Sequence, residues 1–195
     1  MSSITADVAS TEPGQVERGA FDPITILFHW ITVVLLALTF AAAFMIPSGV
    51  LLPSSDWLWV HRSAGASVWI VTALRLAWRL LFARFPDFPE SMSRLRRALV
   101  VASERLLYVL MLIQPAIGVS MSVLRGKPFA LLGWEVPTLI AKDLDLSLRL
   151  HAAHEACAYA LLLCVFLHAA RGLFHHYIVG DDLLRAVTLP RKTQE

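Results

Sequence analysis

HAAHEACAYALLLCVFLHAARGLFHHY, residues 151–177, is long enough to cross a bilayer, and histidines are the main interruptions in its apolar run. His154 and His168 stand 14 residues apart. In a helix that is about four turns, with roughly 21 Å of rise and a residual rotation of roughly 40°. Both imidazoles therefore look much the same way, one nearer each membrane face. Ionisable side chains inside a membrane span point to function. Two at this spacing ask for two partners.

Outward from that stretch, the 195-residue chain is 57% hydrophobic, with a mean hydropathy of +0.63. Soluble domains sit nearer ~45–50% apolar, and here the excess falls into four runs. They lie at about 24–46, 57–82, 98–124 and 150–179. Each is close to or above the ~20 residues that span a hydrocarbon core, and each is continuous rather than alternating, which favours helices over barrel strands. The expected fold is all-α, an integral membrane four-helix bundle. Residues 1–22 are polar, lack the order of a secretory signal and read as a disordered tail. The bundle domain then covers 23–189, and 190–195 form a C-terminal tail.

Arginine and lysine set the orientation. Arg84, Arg94, Arg96 and Arg97 lie between the second and third runs, whereas 47–56 carries no basic residue. The positive-inside rule puts both termini and the 84–97 loop in the cytoplasm. A net charge of +2 gives no reason to expect a nucleic-acid partner; membrane lipid is the expected surroundings. The longest loop, 125–149, contains Pro128, Phe129, Trp134 and Pro137, and reads either as a structured cap or interfacial helix or as a connector with aromatic anchors. Cys157 and Cys164, seven apart on one helix, are beyond disulfide reach. No C-x-x-C-H occurs, so covalent haem attachment is not expected.

On this topology His29 opens the first span near the cytoplasmic face, and His61 opens the second near the outer face. Depth alone pairs His61 with His154 and His29 with His168. Neutral imidazole is a good ligand for iron, and two imidazoles on opposed helices can clamp a flat macrocycle. Haem suits best, since the porphyrin supplies four equatorial nitrogens and an apolar disc. Small residues such as Ala41 to Ala43, Ala64-Gly65-Ala66 and Ala169-Ala170 leave room for it. Zinc, which prefers four close ligands, fits poorly. The expected cofactors are two non-covalent b haems, with His29 and His168 on the inner iron and His61 and His154 on the outer. A lone histidine of this kind would more simply be a packing residue.

The run Thr25-Ile26-Leu27-Phe28-His29-Trp30 resembles the opening of the bacterial cytochrome b561 family. So do His61 with Gly65, Pro115 with Gly118, His154-Glu155, Leu167-His168-Ala169 and the following His175. The resemblance spans about 23–189. It implies a bacterial inner-membrane protein in which four helices hold two b haems on His29, His61, His154 and His168. It also implies exchange with the quinone pool, ubiquinone being the expected acceptor, and superoxide is a candidate donor.

Other residues carry two readings each. His151 competes with His154 as the outer ligand. His175, seven residues past His168, is a candidate for hydrogen bonding to a quinone or an interfacial histidine in water. Arg75 is a candidate partner for a propionate of the inner haem or a snorkelling positive-inside arginine, and Arg79 and Arg171 share that ambiguity. The outer basic residues Arg125, Lys127, Lys142 and Arg149 would attract an anion, offset by nearby acids. No hydrolytic triad, Walker loop or dinucleotide fingerprint appears, so any redox chemistry would be the cofactor's. A periplasmic electron donor is a further expected partner. Two rival functions stand beside this reading: a haem anchor subunit serving a separate dehydrogenase, and a histidine-lined metal transporter.

Overall fold

The computed structural model describes residues 21–47, 51–83, 92–126, 128–137 and 140–179, with the side chains of His175 and Val179 excepted. Residues 1–20 of the expected N-terminal tail, Arg84, Lys127, the C-terminal tail and the end of the expected domain lie outside the described residues, whereas Asp22, expected in the tail, caps the first helix. Four helices follow in order: α1 (Pro23–Met45), α2 (Ser54–Leu81), α3 (Arg94–Leu124) and α4 (Leu144–Phe174). Each is long and apolar enough to cross a membrane. Neighbours run antiparallel, because Trp78 near the end of α2 reaches Asp22 before α1, Arg79 reaches Glu104 near the start of α3, and Ser147 near the start of α4 reaches Met121 near the end of α3. The chain is a multi-pass membrane protein.

The surface is inverted relative to a soluble bundle. Leu27, Val34, Phe44, Leu74, Leu80, Leu163 and Phe166 are exposed, while Thr32, Thr72, Ser122 and Ser147 are buried. With no water in the hydrocarbon, a buried hydroxyl needs a protein partner. Thr32 and Ser122 donate to the carbonyls of Phe28 and Gly118 one turn back, at 2.7 and 2.9 Å. Ser147 donates across to the Met121 carbonyl at 2.8 Å, tying α4 to α3. Buried Ala42, Ala64 and Ala66 are of the small type that lets membrane helices approach closely.

Halfway along the bundle, Leu36, Val68, Met111 and Leu161 meet, one from each helix. Leu36 lies seven residues after His29, Val68 seven after His61, and Leu161 seven from both His154 and His168. Seven residues are about two turns, or roughly 10.5 Å. The histidines thus lie above and below one apolar layer.

Of the readings of the 125–149 loop the structured cap holds, rather than an interfacial helix or a plain connector, and from Leu144 the chain is already α4. The loop forms a hairpin, β1 (Phe129–Leu131) and β2 (Trp134–Val136), with Phe129 opposite Val136 and Leu131 opposite Trp134. Leu132 and Gly133 both have positive φ, 51° and 83°, as a two-residue turn matched to strand twist requires. The Leu132 amide donates to Ser63 Oγ at 3.2 Å, and Arg62 lies over the Phe129 ring, 4.9 Å from its centre. The hairpin is held over the His61 end of the bundle. Helices α2, α3 and α4 also begin three to six residues before the apolar runs do, because polar turns such as Ser54–Asp56 extend past the hydrocarbon-matched segments.

At the opposite end, Asp22 caps α1. Its carboxylate accepts from the Thr25 amide at 2.9 Å, the Thr25 hydroxyl at 2.6 Å and Trp78 Nε1 at 3.1 Å. Burial would raise this carboxyl's pKa, but the hydrogen bonds from Thr25 and Trp78 outweigh it and hold the group below its ordinary value. A depressed carboxyl contributes stability that is complete above the ordinary carboxylate range and is lost as pH falls through the folded-state value. Asp22→Ala should cost about 1 kcal/mol as a lost cap. Thermal unfolding in detergent checks this: the gap between wild type and variant should be widest near neutral pH and close in acid.

Candidate functional site

Four histidines come together in two pairs. The rings of His61 and His154 are 6.2 Å apart between centres and inclined at 85°. Those of His29 and His168 are 6.5 Å apart and inclined at 51°. Each pair brings together imidazoles from two different helices, α2 with α4 and α1 with α4. Among the described residues, no group of three or more His, Cys, Asp and Glu side chains converges in the manner of a metal site. What each end offers is two imidazoles.

The His61–His154 pair is the more fully built. His61 donates Nδ1–H to the Thr39 carbonyl at 2.9 Å, and His154 donates Nδ1–H to the Gln114 carbonyl at 3.1 Å. A carbonyl can only accept, so each bond fixes the proton on Nδ1 and leaves the Nε2 lone pair available, the arrangement a metal-ligating imidazole requires. Gln114 holds the same turn from the other side, its Nε2 donating to the His154 carbonyl at 2.8 Å. Gly118 makes the close approach possible: a Cβ there would stand 3.0 Å from His154 Cε1 and 3.4 Å from Nδ1.

A cavity of about 570 Å³ opens at this end, lined by both histidines, Gly65 and Ala66, and reaching down to the Leu36–Leu161 layer. That volume is within the range of small-molecule and cofactor sites. Arg62, Arg125 and His151 also line it. Thus His154, not His151, faces His61, while His151 is an exposed member of the lining. Of the small residues expected to make room, Gly65, Ala66 and Ala43 line the cavity, whereas Ala64 is buried elsewhere and Ala169 is exposed. In the first turns of α4, Arg149 is paired with Asp145 at 3.0 Å.

The His29–His168 pair is more open, with His168 exposed. Arg75 Nη2 donates to His29 Nδ1 at 3.4 Å, and Arg75 Nε is buried with no hydrogen-bond partner among the described residues. A guanidinium that is sequestered without a carboxylate suits an anionic group brought by a ligand. His175 starts a π-helical turn, His175–Val179, that continues α4. Such turns often mark functional segments.

A profile of the prokaryotic cytochrome b561 family matches residues 20–189. The chain belongs to that family. "Cytochrome b561 homolog 1" of Escherichia coli K12 is 28% identical over 178 residues, covering 88% of this chain and 98% of the relative. A "probable superoxide oxidase" of Yersinia pestis is 25% identical over 167 residues, covering 84% and 92%. Membership makes the chain a membrane protein of an electron-transfer family.

Within this cytochrome b561 member, sequence reasoning passed over Gln114 and Arg62. Gln114 is a polar residue inside an apolar run just before Pro115, which was a usable signal. Arg62 directly follows a candidate ligand and reads as a span-end arginine until the hairpin is in view. Gly118→Ala should displace His154 and lower cofactor content per purified chain. Gly172→Ala, whose new Cβ meets nothing within 4 Å, should leave that content unchanged. Pigment-to-protein ratio measures both.

Proposed function

We propose that this cytochrome holds two non-covalent b haems, His61 and His154 binding one near the outer face and His29 and His168 the other near the cytoplasmic face. Through them it would carry electrons across the bacterial inner membrane to ubiquinone, with superoxide as a candidate donor. The observation that carries the reading is the pairing of the four histidines: two imidazole pairs with ring centres 6.2 and 6.5 Å apart, above and below one apolar layer. Two imidazoles alone would leave an iron short of ligands, so a group that brings its own ring of nitrogens would match them. Haem iron, when bound, supplies the one-electron couple.

The chain's own residues do the rest. The carbonyls of Thr39 and Gln114 hold the outer imidazoles in the ligating tautomer. Gly118 admits the His154 ring, and the cavity wall is mostly apolar. Arg62 and Arg125 are candidates for the outer haem's carboxylates. Arg75 is the candidate for a propionate of the inner haem: turning to that acceptor would release His29 Nδ1 to carry its proton, leaving Nε2 to the metal. His175, on the continuation of α4, is proposed to meet the quinone. The name of the Yersinia relative supports superoxide as donor. Arg94, Arg96 and Arg97 at the start of α3 support cytoplasmic termini.

A reduced-minus-oxidised spectrum of detergent-purified protein, with extracted haem per chain, tests the reading. Two b haems are expected. His61→Ala or His154→Ala should remove one component, and His29→Ala or His168→Ala the other. Metal without porphyrin would overturn the proposal.

A further inference from the structure

Beside the His29–His168 pair, α2 and α3 interlock through four side chains. Arg75 and Arg79 lie one turn apart on α2, and Glu104 and Tyr108 one turn apart on α3. Both guanidinium carbons stand over the buried Tyr108 ring, 5.6 Å and 5.7 Å from its centre. Arg79 is ion-paired with Glu104. Two like charges one helical turn apart repel, and here an aromatic face and one carboxylate offset that repulsion. The carboxylate reaches Arg79. Arg75 has no carboxylate partner among the described residues and meets the His29 ring instead. Among the described residues these two guanidinium groups share one carboxylate, and Arg75 is the one left beside the His29–His168 pair, open to an anionic group that a ligand would bring.

We propose that Tyr108 and Glu104 are positioning residues for Arg75, and that this ladder sets the midpoint potential of the His29–His168 centre separately from that of the His61–His154 centre. The inference rests on the two-haem reading above. Reduction lowers the positive charge of a centre by one, so a fixed neighbouring cation favours the reduced state and raises the potential, whereas a neighbouring anion lowers it. Tyr108 holds the cation in place. Glu104 limits its net field by neutralising the second arginine.

The test is a spectroscopic redox titration of the purified protein, with the two components assigned by the His29→Ala and His61→Ala variants. Tyr108→Leu should lower the midpoint of the component that His29→Ala removes, and Tyr108→Phe, which keeps the ring, should restore it. Glu104→Gln should move the same component the other way, to higher potential. In all three the His61 component should stay where it is in wild type. Glu104→Gln retains side-chain volume and serves if Tyr108→Leu does not accumulate. Equal movement of both components, or no movement of the His29 component, would overturn the inference while leaving the two-haem reading intact. Failure of the histidine variants to remove separate components would overturn both.

Discussion

A polar ring inside hydrocarbon must find its hydrogen bonds in protein, and the backbone carbonyls of neighbouring helices meet that need here. His61 reaches across to α1 and His154 to α3. Each bond joins two helices, orients a ring and chooses its tautomer at once. Other parts of the bundle follow from this requirement. Gly118 is small because the His154 ring needs its space, and Gln114 clasps the same turn of α4 from its side chain. The seven-residue intervals along α1, α2 and α4 keep the rings aligned with the inward face.

The two ends solve the same problem differently. At the His61 end a hairpin lies over the bundle, and both rings are tied to carbonyls. At the His29 end the partner is a charged side chain, Arg75, anchored in turn by Tyr108, while Asp22 fastens α1 to α2 through Trp78. One end is organised by neutral dipoles and the other by a fixed charge. Were both pairs to hold haem, as proposed, that contrast would be a physical source of different potentials.

The helices and the meeting of His61 with His154 and His29 with His168 were legible in the sequence. Hydropathy gives depth, and depth with alternating direction leaves few ways to match four histidines. The hairpin was not legible: three-residue strands carry little periodicity, and its turn begins with Leu132, a residue seldom found at positive φ. The Arg79–Glu104 pair, the shared Tyr108 ring and the Asp22–Trp78 bond were hidden for another reason. They depend on how each helix is rotated about its axis, and an almost uniformly apolar helix carries a weak signal for that rotation.

The layer formed by Leu36, Val68, Met111 and Leu161 has a consequence for the cell's energy supply. Hydrated ions are excluded from hydrocarbon, and one elementary charge crossing a bilayer exchanges about 2.3 kcal/mol with every 100 mV of membrane potential. A protein with polar groups near both faces would dissipate that potential if the groups joined into a wet path. Close-packed aliphatic side chains midway between them resist such a path while remaining thin, about two helical turns from either pair. The bundle is in this respect built as a seal.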